Sequence, residues 1–94
     1  MKILITGCCG FIGFNFTNFL TKSNKKAKIV GIDNLNNYYS VALKRKRLKI
    51  LLKHKNFNFF KLDLGNYKKL NKIFNKNKFD YIYHLAAQAG VRYS

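Results

Sequence analysis

The sequence contains no proline and only three acidic residues, set against nineteen lysines and arginines, for a formal net charge of +16. Long apolar runs are also missing. No stretch approaches the ~20 residues that a membrane-spanning helix needs. Met1-Lys2 leads straight into a short strand, without the long apolar region or small-residue cleavage site of a signal peptide, so neither a span nor a leader is expected. Cysteine is confined to Cys8 and Cys9. Adjacent cysteines suit neither a stapling disulfide nor a metal site, so no metal is expected, and a reducing cytoplasm is the expected compartment. The scarcity of acid raises the question of a nucleic-acid or anionic-membrane partner. The bases, however, are spread over Lys22 to Lys28, Lys44 to Lys55 and Lys68 to Lys78. The missing proline and the abundance of Lys, Asn, Ile, Phe and Tyr follow AT-rich codon usage. A solvated basic surface is therefore expected, with neither nucleic acid nor membrane as partner.

What is present is a small core and one organised turn. Ninety-four residues allow one small domain, and 48% hydrophobic with 16% aromatic content excludes a disordered chain. The first thirteen residues, Met1-Lys-Ile-Leu-Ile-Thr-Gly-Cys-Cys-Gly-Phe-Ile-Gly13, set the pattern. Ile3-Leu4-Ile5 reads as a buried parallel strand, and Phe11, Ile12, Phe16, Phe19 and Leu20 recur at helical spacing. Gly7, Gly10 and Gly13 lie between strand and helix in a G-x-x-G-x-x-G spacing. One glycine permits the tight turn, one lets a pyrophosphate approach the backbone, and one lets helix and strand pack closely. The helix N-terminus then offers unpaired N–H groups and a positive dipole end. Cys8 and Cys9 read as small filler beside the phosphates.

Further along, strands are expected at Lys28–Asp33, Phe57–Leu62 and Phe79–Leu85, with helices from Gly10 to Thr21, Val41 to His54 and Tyr67 to Asn75. Asp33 closes the second strand about 20 residues past Gly13, where an acid accepts hydrogen bonds from the adenosine ribose hydroxyls. Its carboxylate would repel a 2′-phosphate, which favours NAD over NADP. A strand-ending turn residue beside Asn34 is the competing use. In the second helix Val41, Leu48, Leu51 and Leu52 form an apolar face, while Lys44, Arg45, Lys46, Arg47 and Lys49 largely occupy the others. Asn66 suits the N-cap of the third helix. Asp63 serves either its own turn or the adenine amino group. His84 reads as a packed strand residue, not as a catalytic base. The order β-α-β-α-β-α-β calls for a Rossmann-type α/β fold, a parallel sheet with helices on both faces and truncated after about four strands. Ligands bind such sheets at the carboxyl ends of the strands, here Gly7 to Gly13, Asp33, Asp63, and Ala86 to Gly90.

These residues resemble the start of an extended short-chain dehydrogenase/reductase, the family of nucleotide-sugar epimerases and dehydratases. Thr6-Gly-Cys-Cys-Gly-Phe-Ile-Gly13 resembles its T-G-x-x-G-F-I-G fingerprint, Gly31-Ile-Asp-Asn-Leu35 its second-strand signature, and Asp63-Leu64 its adenine-contacting pair. His84-Leu-Ala-Ala-Gln-Ala-Gly-Val-Arg-Tyr-Ser94 is similar to the corresponding stretch of the UDP-glucuronate 4-epimerase branch. The resemblance implies NAD as cofactor. Gly7, Gly10, Phe11, Ile12 and Gly13 would surround the pyrophosphate, and Asp33, Asn34 and Asn37 would hold the adenosine ribose and nearby phosphate. Asp63 and Leu64 would take the adenine, while Leu85, Ala86, Ala87 and Gln88 would line the path to the nicotinamide ribose. It implies a nucleotide-sugar substrate epimerised at C4 through a 4-keto intermediate, by a full-length enzyme that is a homodimer.

The family's chemistry requires a Tyr-x-x-x-Lys pair, in which the lysine lowers the tyrosine pKa so that it can act as acid and base. At the fourth following position Tyr38 meets Ala42, Tyr39 meets Leu43, Tyr67 meets Asn71, Tyr81 meets Leu85, and Tyr83 meets Ala87, while Tyr93 runs off the end. Residues 1–94 are thus expected to be the N-terminal part of an NAD-binding domain, lacking catalytic residues and substrate domain and inactive alone. The competing expectations are a non-catalytic NAD-binding module and a basic nucleic-acid- or membrane-binding module.

Overall fold

Short apolar strands separated by helix-length connections cannot pair as hairpins, so they align in parallel with the helices packed over the faces. The computed structural model describes residues 1–35, 41–63 and 65–85. In chain order they form β1 (Lys2–Thr6), α1 (Phe11–Ser23), β2 (Lys28–Asp33), α2 (Val41–Leu52), β3 (Phe57–Lys61), α3 (Tyr67–Lys76) and β4 (Tyr81–His84). The four strands make one parallel sheet in the order β3-β2-β1-β4. Thr6 stands opposite Ile32 on one side and His84 on the other, and Asp33 opposite Lys61, so the carboxyl ends of all four strands share one edge. The expected fold is the observed one.

Alternation along the strands feeds two cores. Ile3, Ile5, Ile29 and Phe57 pack with Cys8, Cys9 and Leu51, and Phe16, Leu20 and Leu48 close over them from α1 and α2. Leu4, Val30 and Ile32 point the other way, onto Leu62 and Ile73, with Leu70 and Phe79 beside them. Helices α1 and α2 therefore cover one face and α3 the other. The chain runs outward from β1 to β3, then returns across the opposite face to place β4 beside β1. That reversal of strand order falls between β1 and β4, the usual position for a ligand in such sheets.

Several element details differ from expectation. Helix α1 buries Gly13, Thr17 and Thr21 in full, while Phe11, Ile12 and Phe19 are exposed. Small residues four apart let this helix lie close to the sheet, so the large apolar side chains fall to its flanks and outer side. Helix α2 stops at Leu52, not His54, because the N–H groups of Lys53 and His54 turn back to the carbonyls of Ile50 and Leu51. Its apolar face is narrower than expected, with Leu51 buried and Leu52 exposed. Strand β3 ends at Lys61, one residue early, because the Leu62 N–H goes to the Asp33 carbonyl as the chain leaves the sheet. Strand β4 is shorter than the expected Phe79–Leu85, since Asp80 is occupied with Lys2: each accepts a hydrogen bond from the other's backbone N–H. Asn66 caps α3 as expected, accepting from the Lys69 N–H at 3.2 Å. Among the described residues, no helix is long and apolar enough to cross a membrane.

At Gly13, α1 closely approaches the turn that precedes it. A Cβ at Gly13 would overlap the Gly7 carbonyl oxygen and stand 2.8 Å from its carbon, backbone atoms that cannot move aside. Gly13→Ala should therefore cost about 3 kcal/mol or more in a denaturant titration. A loss under about 1 kcal/mol would contradict this packing.

Candidate functional site

The turn between β1 and α1 is held by its backbone. Gly7 adopts φ 74°, a left-handed conformation that other residues rarely tolerate, and its N–H reaches the Ile32 carbonyl at 2.7 Å. The Gly7 carbonyl then accepts from the Gly10 N–H at 3.1 Å. Gly10 is the N-cap of α1, in extended conformation and with no side chain to cap the helix. Its absent Cβ would find its nearest atom, the Gly7 oxygen, at 3.5 Å, an ordinary contact. Backbone conformation thus favours glycine at position 7 and packing requires it at 13, but neither does so at 10. What the bare Gly10 leaves open is the space before the helix N-terminus, where leading N–H groups and the helix dipole favour an anion.

Asp33 is the second component. It ends β2, is 5% exposed, and binds three groups. Its Oδ2 accepts from the Cys9 N–H at 3.0 Å, and its Oδ1 from the Leu35 N–H at 2.8 Å and from Lys44 Nζ at 3.3 Å. The turn role and a position against the glycine turn are thus realised together, and Leu35 takes φ 54° in following it. Lys44 was expected on a solvated face. It is instead 7% exposed and paired with Asp33, because α2 lays this side of its first turns against the end of β2. Arg47, one turn on, donates from Nη1 to the Cys9 carbonyl at 3.1 Å and lies 5.9 and 6.0 Å over the Phe11 and Phe14 rings. Nothing in the spacing separates Lys44 and Arg47 from the basic run around them. Only the need of a buried carboxylate for a partner would have pointed there.

The remaining candidates fall on the same edge. Phe11 and Ile12 open α1 and are exposed beside the turn, and Asn34 follows Asp33 half-buried. Asp63 is exposed, and its Oδ1 accepts from the Gly65 N–H at 3.0 Å, which is its turn role. Leu85 leaves β4 with its N–H on the Thr6 carbonyl and its side chain against the α1–α2 core. His84 was expected to be packed. It is exposed, because β4 lies at the edge of the described sheet, and its Nδ1 is 2.8 Å from Thr6 Oγ1. Asn37, Leu64, Ala86, Ala87 and Gln88 lie outside the described residues.

Cys8 and Cys9 correct another expectation. Both are fully buried in the core beneath the turn, so they are not filler beside the phosphates; both are free thiols with their sulfurs 3.9 Å apart. The hydrogen bond to Cys9, burial and the nearby charge of Asp33 push the Cys8 thiol well above its ordinary value of 9.0.

With this geometry in place, comparison with known proteins is direct. Residues 4–94 match the GDP-mannose 4,6 dehydratase family. The chain belongs to that family. The UDP-glucuronate 4-epimerase of Thermodesulfobacterium geofontis is 45% identical over 91 residues, covering 97% of this chain and 28% of that protein. Protein CapI of Staphylococcus aureus is 49% identical over 94 residues, covering 100% of this chain and 27% of that protein. Among solved structures, a UDP-glucuronic acid 4-epimerase variant from Bacillus cereus, in complex with NAD and a 4-deoxy-4-fluoro substrate analogue, superposes with a TM-score of 0.85. That match is at 38% identity and covers 98% of this chain and 28% of that one. The dTDP-glucose 4,6-dehydratase of Bacillus anthracis, also in complex with NAD, gives a TM-score of 0.82 at 29% identity, covering 95% of this chain and 27% of that one. The chain thus spans little more than a quarter of each of these four proteins. The family's members include NAD-dependent epimerases and dehydratases, as the sequence resemblance implied.

The buried thiols give a test of the turn. Because the fold favours the neutral Cys8 thiol, its contribution to stability is complete below pH 9.0 and falls as the pH rises further, when the unfolded chain ionises first. Both cysteines should resist a disulfide-exchange reagent at pH 8 in the native protein and react at once on denaturation. Rapid native labelling would contradict the burial.

Proposed function

We propose that residues 1–94 form the adenosine and pyrophosphate half of an NAD site in a nucleotide-sugar 4-epimerase acting on UDP-glucuronate. The observation that carries the binding half is the vacant Cβ position of Gly10, left open before the helix N-terminus without any demand from the protein's own packing. Gly7, Gly10 and Gly13 would shape the turn around the pyrophosphate, with Phe11 and Ile12 beside it. Asp33, Asn34 and Asn37 would hold the adenosine ribose, Asp63 and Leu64 the adenine, and Leu85 to Gln88 the approach to the nicotinamide ribose. When bound, NAD would supply the hydride acceptor and donor for chemistry at sugar C4. This chain's own contribution is to bind and orient the cofactor.

The choice of UDP-glucuronate rests on the relatives that carry that name and on the His84 to Ser94 stretch. The proton transfers are left to a Tyr-x-x-x-Lys pair that residues 1–94 do not contain, so residues 1–94 alone would bind without turnover. The same resemblance implies a cytoplasmic homodimer for the whole enzyme.

Two measurements separate binding from catalysis. Gly10→Val should leave the thermal midpoint within a few degrees of wild type yet weaken NAD binding by about tenfold or more, because the new side chain takes up cofactor space. Unchanged NAD affinity would remove the observation on which the reading stands. The protein expressed from the complete reading frame should convert UDP-glucuronate to its C4 epimer, and NAD binding without that conversion would restrict the chain to a binding module.

A further inference from the structure

Gly10 is a turn residue that packing leaves unconstrained. A Cβ there would meet its nearest atom, the Gly7 oxygen, at an ordinary 3.5 Å, and no side chain caps the helix that Gly10 begins. A glycine backbone has more conformations open to it than any other. The peptide plane between Cys9 and Gly10 sets where the leading N–H groups of α1 point. If that plane were free to turn, its ordering would be charged against the binding of an anion.

Arg47 holds this plane from a distance. The Gly10 N–H of the peptide goes to the Gly7 carbonyl at 3.1 Å, a bond within the turn itself. The Cys9 carbonyl of the same peptide accepts from Arg47 Nη1 at 3.1 Å, across 38 residues of sequence. The guanidinium carbon lies 5.9 Å from the centre of the exposed Phe11 ring and 6.0 Å from that of the half-buried Phe14. The side chain is thus laid along the start of α1, with two aromatic rings as its platform. A simple tie between helices would not need this geometry. Elsewhere α1 and α2 are joined by Asn18 Oδ1 and His54 Nε2 at 2.9 Å, and Leu20 and Leu48 close over the same core. The Arg47 bond lands on neither helix but on the turn before α1.

We propose that Arg47 is a positioning residue for the cofactor pyrophosphate: it fixes the Cys9–Gly10 peptide and so aims the first N–H groups of α1. A planar guanidinium can donate to the carbonyl while lying over Phe11 and Phe14, which an ammonium cannot reproduce. The proposal rests on the dinucleotide reading above and deepens it, because control of phosphate affinity then lies on α2 as well as on the glycine turn.

The test compares NAD with adenosine, which has no pyrophosphate, by titration of the protein from its complete reading frame in wild type, Arg47→Gln and Arg47→Lys. Arg47→Gln should weaken NAD by about tenfold or more and adenosine by less than about twofold, as expected for loss of one charge-assisted hydrogen bond that acts at the phosphates alone. Arg47→Lys should recover only part of the loss. Without cofactor, hydrogen exchange of the segment Gly7 to Ile12 should quicken in Arg47→Gln while β1 and β2 keep their wild-type rates. A merely structural arginine would weaken both ligands alike and raise exchange through the sheet, which would overturn the proposal. Full NAD affinity in Arg47→Lys would overturn it as well, since charge alone would then suffice. Equal NAD binding by wild type and Arg47→Gln would defeat the proposal and leave the dinucleotide reading intact, whereas no NAD binding by wild type would defeat both. Should Arg47→Gln fail to fold, Arg47→Lys decides: the NAD-to-adenosine affinity ratio should fall severalfold, and an unchanged ratio overturns the proposal.

Discussion

The structure depends on how Asp33 is held. Its carboxylate joins three parts of the chain at one point: the end of β2, the glycine turn through the Cys9 N–H, and α2 through Lys44. Burying such a pair is costly, and it persists because the carboxylate is also satisfied by the Leu35 N–H. Removing one partner from a buried ion pair of this kind typically costs about 3–5 kcal/mol. The same contacts fix the N–H of Cys9, and the carbonyl of that residue is taken by Arg47. A turn held through two successive peptide groups is preorganised, and preorganised backbone N–H groups bind anions without a further ordering cost.

Topology supplies the rest of the site. Because β4 returns to lie beside β1, while β2 and β3 extend the sheet the other way, the turn after β1 opens onto the reversal point of the strand order. The covering of the two faces follows the same division, with α1 and α2 on one side and α3 on the other. Glycine at position 13 lets α1 sit close against the turn at that reversal point. Fold and site are thus set by the same few residues.

Much of this was legible in the sequence, for identifiable reasons. Strands β1 and β2 have the bounds read from their apolar runs, since a fully buried parallel strand is continuous in hydrophobicity. The glycine spacing marked the turn, and Asn66 marked the start of α3. Less legible was what depends on partners distant in sequence. Periodicity could not show that Thr17 and Thr21, not Phe11 and Phe19, face the sheet, because polarity scales do not register how closely a helix must approach. Nor could it single out Lys44 from Arg45, Lys46 and Lys49, because the feature that buries it is a carboxylate eleven residues away. The cysteines were misplaced for a similar reason: a turn residue was read as lining the ligand when its side chain fills the core beneath it.

The account stands most directly on the backbone amides of the glycine turn. Their NMR resonances, followed as NAD is added, report where the cofactor sits. The largest shifts are predicted at Gly10 to Gly13 and at Cys9, with Asp33 and Leu35 following and the lysine-bearing helix α3 unmoved. Shifts confined to α3, or saturation by NAD without movement of Gly10 and its neighbours, would contradict the claim that this turn is the dinucleotide site.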